Sequence, residues 1–236
     1  MNQHRRHFLI ASGAAIAASC LPFAARSAEK LKIGVIGSGK VGSAIGSVWV
    51  GMGHAVMFSS RHIEHDQSLA ADLGAGARAG TPQEAAAFGD VLLVSVPYGA
   101  LPDVGKDLAE QIKGKVVLDA CNPFPNRDGE IANWAREKGA GLASAELLPG
   151  ARIVRAFNAI GAARMGSAYL EPGRIGMPIA GDDAEAIAVA SNLIRELGYE
   201  PVLIGGLAMG KYLMPGTPLA GERSAEEIRQ VAAGLE

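Results

Sequence analysis

Short apolar runs alternate with helical patterns along the chain from about residue 31 onward. Most of these runs are continuous, which is typical of strands whose two faces are both buried in a parallel sheet. They predict strands at residues 31–36, 54–59, 90–96, 116–120, 152–157, 174–180 and 201–204. Strands that alternate with helices indicate an α/β fold with a doubly wound, mostly parallel sheet. No repeat or low-complexity linker interrupts the pattern, so we expect a single domain with a small C-terminal extension.

Capping residues predict where several helices begin. Residues 81–84 (Thr-Pro-Gln-Glu) and 224–227 (Ser-Ala-Glu-Glu) each match a capping box. Asp182 or Asp183 is expected to cap the helix that Gly198 ends.

The first predicted strand is followed by a glycine-rich turn and by a helix that opens near Lys40. The glycines have the G-x-G-x-x-G spacing of a dinucleotide-binding turn. Gly37 would permit the sharp bend, Gly39 would let the backbone approach a pyrophosphate, and Gly42 would let the helix pack closely on the strand. The pyrophosphate would bind to free N–H groups at the helix N-terminus. An ordinary flexible turn is the alternative, but the flanking elements favour a Rossmann-type cofactor site made by Gly37, Ser38, Gly39, Lys40, Val41 and Gly42.

The second predicted strand ends in Ser59, Ser60 and Arg61. Sites specific for NAD place an acidic residue about 20 residues beyond the glycines, where it binds the ribose 2′-hydroxyl. No acidic residue stands at this strand end. Two hydroxyls and a guanidinium suit a 2′-phosphate instead, because arginine offers two parallel donors and the serines can also donate. The sequence therefore favours NADP over NAD, the alternative being a solvated turn with an incidental arginine.

Two further segments follow the fourth and fifth predicted strands. Ligands of such sheets bind beyond the carboxyl ends of the strands, at the point where the strand order reverses. The segments that reach this position contain Val96, Pro97 and Tyr98, and then Asn122 and Pro123. We expect them to border the nicotinamide ribose and the acceptor, although a purely structural turn is equally consistent with each residue taken alone.

Composition and charge exclude several classes of function. The formal net charge of −2 and the aromatic content of 5% argue against a nucleic-acid partner, which needs a basic face or a stacking surface. The 49% hydrophobic content is ample for a core without a metal or a disulfide. The two cysteines, Cys20 and Cys121, suggest no metal site. No histidine is placed to move a proton, so we expect no catalytic side chain and no metal.

The N-terminus has the order of zones found in an export signal. Arg5 and Arg6 precede an apolar run of small residues that is too short to span a bilayer. The run Arg-Arg-His-Phe-Leu resembles a twin-arginine motif, and cleavage is expected near Ser27 or Ala28. We therefore expect a signal peptide at residues 1–28, an NADP-binding domain at 29–236 and contact with the twin-arginine machinery. We also expect a periplasmic or otherwise exported location, with no membrane span after cleavage. A frayed helical extension is the alternative, and lipidation of Cys20 stays open.

Several motifs, in this order along residues 31–219, resemble one known family. They are the glycine turn, Ser59-Ser60-Arg61, the segments at 96–100 and 119–123, the run Leu-Pro-Gly-Ala-Arg-Ile-Val-Arg-Ala-Phe-Asn at 148–158, and the segments at 180–183 and 205–207. The chain is similar to NADPH-dependent oxidoreductases of coenzyme F420, and also to the cytosolic reductase domain of six-transmembrane metalloreductases. This resemblance covers nearly all of the predicted mature chain.

The resemblance implies roles for individual residues. It implies that Ser60 and Arg61 hold the 2′-phosphate and that Pro97, Tyr98, Asn122 and Pro123 lie near the nicotinamide. It also implies that an acceptor, either F420 or a flavin, is bordered by Phe157, Asn158, Gly206, Leu207 and Met214, and that the protein is a homodimer. The family commonly has an acidic residue where this chain has Met214, which leaves the acceptor open. A non-catalytic, exported NADP-binding or redox-sensing protein is the second hypothesis.

Overall fold

A single sheet runs through the part of the chain that this computed structural model describes, residues 30–173 and 175–235. The predicted signal peptide at 1–28 lies outside the described residues. The strands are β1 (Lys32–Ile36), β2 (Ala55–Ser59), β3 (Ala77–Ala79), β4 (Val91–Val94), β5 (Val116–Asp119), β6 (Arg152–Arg155), β7 (Ile175–Gly181) and β8 (Tyr199–Leu203).

The strand order is β3-β2-β1-β4-β5-β6-β7-β8. Neighbouring strands are parallel except for β6 and β7, which pair antiparallel through Val154–Gly181 and Arg155–Ala180. The predicted doubly wound, mostly parallel sheet is confirmed. The chain leaves β1 toward β2 and β3 and then crosses to β4 on the other side, so the order reverses between β1 and β4.

Helices cover both faces of the sheet. They are α1 (Lys40–Gly51), α2 (Ile63–Leu73), α3 (Pro82–Phe88), α4 (Leu101–Asp107), α5 (Ala109–Ile112), α6 (Pro125–Asp128), α7 (Glu130–Lys138), α8 (Ala140–Leu147), α9 (Ala162–Met165), α10 (Ala184–Glu196) and α11 (Ala225–Ala232). Three 3-10 helices add Tyr98–Ala100, Ala168–Leu170 and Leu207–Leu213.

The core has two large apolar layers, one on each face of the sheet, and a smaller third cluster that includes Val202 of β8 and Ile228 of α11. Ile45 and Trp49 of α1 pack in the first layer together with Ile194 of α10. Ala85 of α3 and Leu101 of α4 pack in the second. All residues of β4 and β5 are buried, which explains why both strands read as continuous apolar runs.

The cap predictions agree with the structure at residue level. Thr81 and Ser224 form the two expected capping boxes. Asp183, rather than Asp182, caps α10 by accepting from the Ala186 N–H. Asp182 accepts from the Leu207 N–H at 3.0 Å and so ties the end of β7 to the last 3-10 helix.

Among the described residues, no helix is both long and apolar enough to cross a membrane. The same residues contain no cluster of three or more His, Cys, Asp or Glu side chains placed to hold a metal ion.

Candidate functional site

A groove lies along the carboxyl ends of the parallel strands, where the strand order reverses. It consists of an outer cavity of about 770 Å³, which reaches Ser60 and Arg61, and an inner cavity of about 540 Å³, which reaches Asn122 and Asn158. The residues that line both cavities are Gly39, Ser95, Val96, Pro97 and Arg127. The two cavities therefore meet over the glycine turn, which is the position expected for a ligand of a doubly wound sheet.

The three glycines of the turn meet three different steric demands. Gly37 has a φ of +98°, a conformation that favours glycine. A Cβ on Gly42 would lie 2.1 Å from the Gly37 carbonyl oxygen, so the start of α1 can approach the turn only without a side chain there. A Cβ on Gly39 would meet no atom within 4 Å, since this residue faces the open groove. The turn therefore forms a cradle that a pyrophosphate could enter.

The start of α1 supplies donors to this cradle. The helix begins at Lys40 with no side-chain cap and no acidic residue in its first turn. Its first N–H groups have no partner within the helix, and the helix dipole favours an anion at this end. The Gly37 and Ser38 N–H groups serve a different purpose, because both donate to the Ser59 carbonyl oxygen at 2.9 and 3.0 Å.

Two serines among the predicted cofactor contacts face away from the groove. Ser59 is fully buried and its hydroxyl donates to the Val35 carbonyl oxygen at 2.7 Å, so it closes the turn instead of facing the groove. Ser38 is also fully buried, and its hydroxyl donates to the Asp66 carboxylate. Both side chains support the turn from beneath. Sequence spacing alone cannot distinguish a serine that lines a site from one that supports it.

Ser60 and Arg61 line the outer cavity. The Ser60 hydroxyl lies 2.8 Å from Asp66 Oδ2, and the His62 N–H donates to Ser60 Oγ at 3.0 Å. Arg61 is exposed, and within the described part of the chain its guanidinium has no hydrogen-bond or ion-pair partner. A cationic side chain with five free donors therefore stands at the edge of the outer cavity.

Val96 and Pro97, two of the predicted cofactor contacts, line both cavities. Tyr98, predicted to lie near the nicotinamide, turns the other way and is fully buried. Its hydroxyl lies 3.2 Å from Ser144 Oγ and 3.3 Å from the Ala140 carbonyl oxygen. Burial raises the pKa of the Tyr98 phenol well above its ordinary value. Tyr98 is a core residue that anchors the segment after β4 to α8.

A buried ion pair supports the inner cavity. Asp119 and Arg155 are register partners at the ends of β5 and β6, both are fully buried, and Arg155 Nη1 lies 2.6 Å from Asp119 Oδ2. The pair also holds the following loop, since Asp119 Oδ1 accepts from the Cys121 N–H at 2.9 Å and Arg155 Nη2 donates to the Cys121 carbonyl oxygen at 3.2 Å. Burial raises the pKa of the Cys121 thiol, and the nearby charge of Asp119 raises it further. This cysteine is therefore a packing residue.

Two asparagines join the loops that follow β5 and β6. Asn122 Nδ2 donates to the Asn158 carbonyl oxygen at 2.8 Å, and Asn158 Nδ2 donates to the Cys121 carbonyl oxygen at 3.3 Å. These bonds fix the amide of Asn158 with its nitrogen toward the loop. Asn158 Oδ1 is then a buried acceptor without a partner in the described structure, and Asn158 lines the inner cavity. Since buried polar atoms are nearly always bonded, this oxygen is available to a ligand that donates a hydrogen bond.

Phe157 forms part of the same wall with an unusual backbone. Its φ is +67°, the single positive φ of a non-glycine residue among those described. Its ring packs edge-on against Trp49 and Tyr199, with centroids 6.4 Å apart in each pair. Residues held in this conformation store strain and are often found at ligand sites, where the surrounding packing maintains them.

The remaining predicted acceptor-side residues do not reach the cavity. Leu207 and Met214 are buried in the second core layer, and Gly206 begins the last 3-10 helix. Pro123 is likewise buried rather than part of the lining. Pro215 and Gly216 line the inner cavity in place of Met214. The prediction selected the correct segments, but chose side chains that face the core.

Sequence reasoning missed Arg127, which lines both cavities. Its guanidinium lies 5.0 Å from the Phe124 ring centroid and donates to the Asn122 carbonyl oxygen at 2.8 Å. Asp128 beside it has a lowered pKa: burial acts to raise it, but hydrogen bonds from Arg127 and from the N–H groups of Phe124 and Gly99 outweigh burial. Arg127 lies in the short helix α6, and no pattern in the sequence marks it as a site residue.

Comparison with known proteins agrees with this geometry. Residues 32–123 match the family model described as NADP oxidoreductase coenzyme F420-dependent. The match includes β1 to β5, the glycine turn and the loop after β5. This match supports the resemblance that the sequence motifs in this part of the chain indicate.

Individual relatives cover different shares of their own length. The chain is 30% identical over 186 residues to the rat metalloreductase STEAP3, a match that takes 78% of this chain but 36% of that protein. It is 28% identical over 205 residues to the F420-dependent NADP reductase of Methanothermobacter thermautotrophicus, covering 80% of this chain and 87% of that one. The crystal structure of the hypothetical protein SMa0349 from Sinorhizobium meliloti aligns with a TM-score of 0.71 at 26% identity, over 83% of this chain and 96% of that chain. The chain thus spans about a third of the metalloreductase and most of the F420-dependent reductase.

Proposed function

We propose that the protein transfers a hydride between NADP(H), bound along the groove, and coenzyme F420, a flavin or a similar planar acceptor in the inner cavity. The continuity of the groove carries this proposal. It runs from a free arginine at Arg61, over the cradle at Gly39, to the unpartnered oxygen of Asn158. One extended ligand and one compact ligand can therefore meet where the two cavities join.

The placement of NADP follows from the charges and donors along the groove. Arg61 would bind the 2′-phosphate with its two parallel donors. The first N–H groups of α1 would bind the pyrophosphate above Gly39. The nicotinamide would then lie against Val96 and Pro97, where the cavities meet.

The inner cavity suits a flat redox partner. Asn122, Phe157 and Asn158 form one wall, and Pro215 and Gly216 form another. Hydride transfer between two ring systems requires chiefly that the reacting carbons lie about 3–3.5 Å apart. Of the residues lining this cavity, only Lys40 and Arg127 carry a formal charge, and both are cationic. Arg127 is paired with Asp128 at 2.8 Å, so Lys40 is the charge of this lining that favours an acceptor carrying negative charge. Solvent supplies the proton that accompanies the hydride.

The test is oxidation of NADPH by purified protein, followed by absorbance near 340 nm with a deazaflavin, a free flavin or a metal chelate as acceptor. We expect turnover with at least one of them. NADPH that stays bound and is never oxidised would contradict hydride transfer and support a binding or sensing protein.

Gly39 offers a test variant for this assay. Since a Cβ there meets no protein atom, Gly39→Ser should fold normally, but its side chain would occupy the pyrophosphate cradle. We expect loss of NADPH oxidation with unchanged thermal unfolding. Activity equal to wild type would place the pyrophosphate elsewhere.

We also propose export by the twin-arginine route, with NADP carried in the folded protein. This part is supported by the order of zones at residues 1–28. Fractionation of cells that express the full chain, followed by measurement of bound nucleotide in the exported fraction, tests it. Recovery of the protein only in the cytoplasm would contradict it, as would exported protein that contains no nucleotide.

A further inference from the structure

A buried carboxylate lies directly behind the outer cavity. Asp66, in the first turn of α2, is fully buried. Its two oxygens each accept from a serine: Oδ1 from Ser38 of the glycine turn and Oδ2 from Ser60 after β2, the latter at 2.8 Å. Within the described residues it has no cationic partner. The Asp66 carboxylate, which has no cationic partner there, is thus separated from the edge of the outer cavity by one hydrogen bond, the one from Ser60.

The direction in which the Ser60 hydroxyl donates its proton determines what this residue can offer a ligand. A serine hydroxyl has one proton to donate, and an ionised carboxylate can only accept. The other acceptor near Ser60 Oγ is the uncharged His62 carbonyl oxygen at 3.3 Å, which is longer and weaker than the bond to Asp66. The proton therefore goes to Asp66. The His62 N–H occupies one lone pair of Ser60 Oγ at 3.0 Å, and one lone pair remains for the cavity.

This remaining lone pair can accept a hydrogen bond but cannot donate one. A ribose 2′-hydroxyl can donate to it, whereas the oxygens of a 2′-phosphate are chiefly acceptors. In sites for NAD, an acidic residue accepts from the 2′-hydroxyl directly. We propose that Asp66 performs the same task through Ser60, so that the outer cavity binds NADH by way of Ser60 and NADPH by way of Arg61.

This proposal rests on the proposed function, because it assumes that the adenosine ribose lies at Ser60. It replaces the expectation that Ser60 donates to the 2′-phosphate. In the proposed arrangement Asp66 is a positioning residue: it touches no ligand, and it sets the direction of the Ser60 hydroxyl. A simple brace for the glycine turn, through Ser38, is the competing role, and it would affect both cofactors equally.

The experiment measures dissociation constants of the full-length protein for three ligands: NADPH, NADH and NADH that lacks the 2′-hydroxyl on the adenosine ribose. We expect wild type to bind NADH about tenfold more tightly than the 2′-deoxy analogue, the scale of one hydrogen bond. In Ser60→Ala the two should bind equally, while NADPH is unaffected or binds more tightly. Ser60→Thr, which keeps a hydroxyl, should restore the discrimination.

Asp66→Asn tests the carboxylate itself while preserving its shape. Loss of the negative charge should tighten NADPH several-fold and weaken NADH, which shifts the ratio of the two constants by about tenfold or more. Equal losses for both cofactors in Asp66→Asn would indicate a brace and overturn the proposal. So would a loss of NADPH affinity alone in Ser60→Ala, because Ser60 would then donate to the phosphate.

The outcomes also separate this proposal from the proposed function. If both cofactors bind as expected and no acceptor is reduced, hydride transfer fails while the relay through Ser60 stands. If acceptors are reduced with NADPH and the variants leave the NADH-to-NADPH ratio unchanged, only the relay fails. Failure of the wild type to bind either cofactor would overturn both.

Discussion

The outer and inner cavities are built in opposite ways. The outer cavity presents an exposed, unpaired guanidinium at Arg61 and the hydroxyl of Ser60, whose hydrogen-bond partner Asp66 is buried behind it. The inner cavity rests on a fully buried ion pair between Asp119 and Arg155, from which hydrogen bonds hold the loop at Cys121. Groups that face water can be exchanged at small cost to folding, whereas buried ionic groups cannot. Arg61 can therefore contribute to the choice of cofactor independently of stability, whereas the geometry of the inner cavity and the stability of the fold depend on the same buried pair.

The largest expected effect is at the buried ion pair. Arg155→Met leaves Asp119 charged and buried, which should cost about 3–5 kcal/mol of unfolding free energy, measured by urea denaturation. Arg152→Met is the matched control, because it removes an arginine of the same strand whose pair with Asp183 is half-exposed. The control should lose far less. Equal losses would contradict the contrast between the two regions.

The second effect concerns cofactor choice at the outer cavity. Arg61→Ala should weaken NADPH binding by about 1.5–3 kcal/mol, the value of a hydrogen bond to a charged group, and leave NADH nearly unchanged. Titration calorimetry with both nucleotides measures this. Arg78→Ala, which removes an exposed arginine that lies over the Phe88 ring, controls for net charge. Equal weakening of both nucleotides by Arg61→Ala would refute the 2′-phosphate role.

A smaller effect is expected at Asn158. Asn158→Ala removes the unpartnered oxygen and one hydrogen bond between the loops. We expect a loss of transition-state stabilisation of about 0.5–1.5 kcal/mol, the net value of one hydrogen bond, which lowers kcat/KM. Steady-state kinetics measures the fall, with whichever acceptor is reduced in the NADPH oxidation assay. Asn133→Ala, on the exposed face of α7, should have no effect. If the two variants behave alike, the oxygen of Asn158 has no ligand.

The smallest effect is a pH dependence at Asp128, which lines the outer cavity beside Arg127. The folded protein lowers the pKa of Asp128, so its stabilising contribution is present above the unfolded pKa of about 4 and is lost as the pH falls through the lower folded value. Asp128→Asn should therefore reduce stability at pH 7 by less than about 1 kcal/mol, and the difference should vanish in acid. Thermal unfolding at several pH values measures it. A difference that grows in acid would have the wrong sign.

Much of the outer region could be predicted from sequence because local rules determine it. The glycine spacing, the capping boxes and the apolar runs of β1, β2, β4 and β5 each reflect sterics or burial of a few adjacent residues. β3 was missed because Ala77, Arg78 and Ala79 form a short run without an apolar pattern. The helices between residues 101 and 147 were missed for a similar reason, since several are only four to nine residues long.

The inner region depends on pairings between distant residues, which sequence patterns do not reveal. The antiparallel direction of β7 is one case, and the inward turn of Tyr98 is another. One signal was available in principle: Asp119 ends one apolar strand and Arg155 ends the next, so opposite charges stand at equivalent positions. The burial of Asp66 had no such signal, because an acid in the first turn of a helix is ordinarily a solvated residue.

The two hydrogen bonds from the Gly37 and Ser38 N–H groups to the Ser59 carbonyl oxygen have a consequence for the entropy of binding. They fasten the turn to the end of β2 before any nucleotide arrives, so little backbone freedom remains to be lost on association. In hydrogen exchange, these two amides should be protected in the free protein. The amides at the start of α1 should exchange rapidly until an anion covers them.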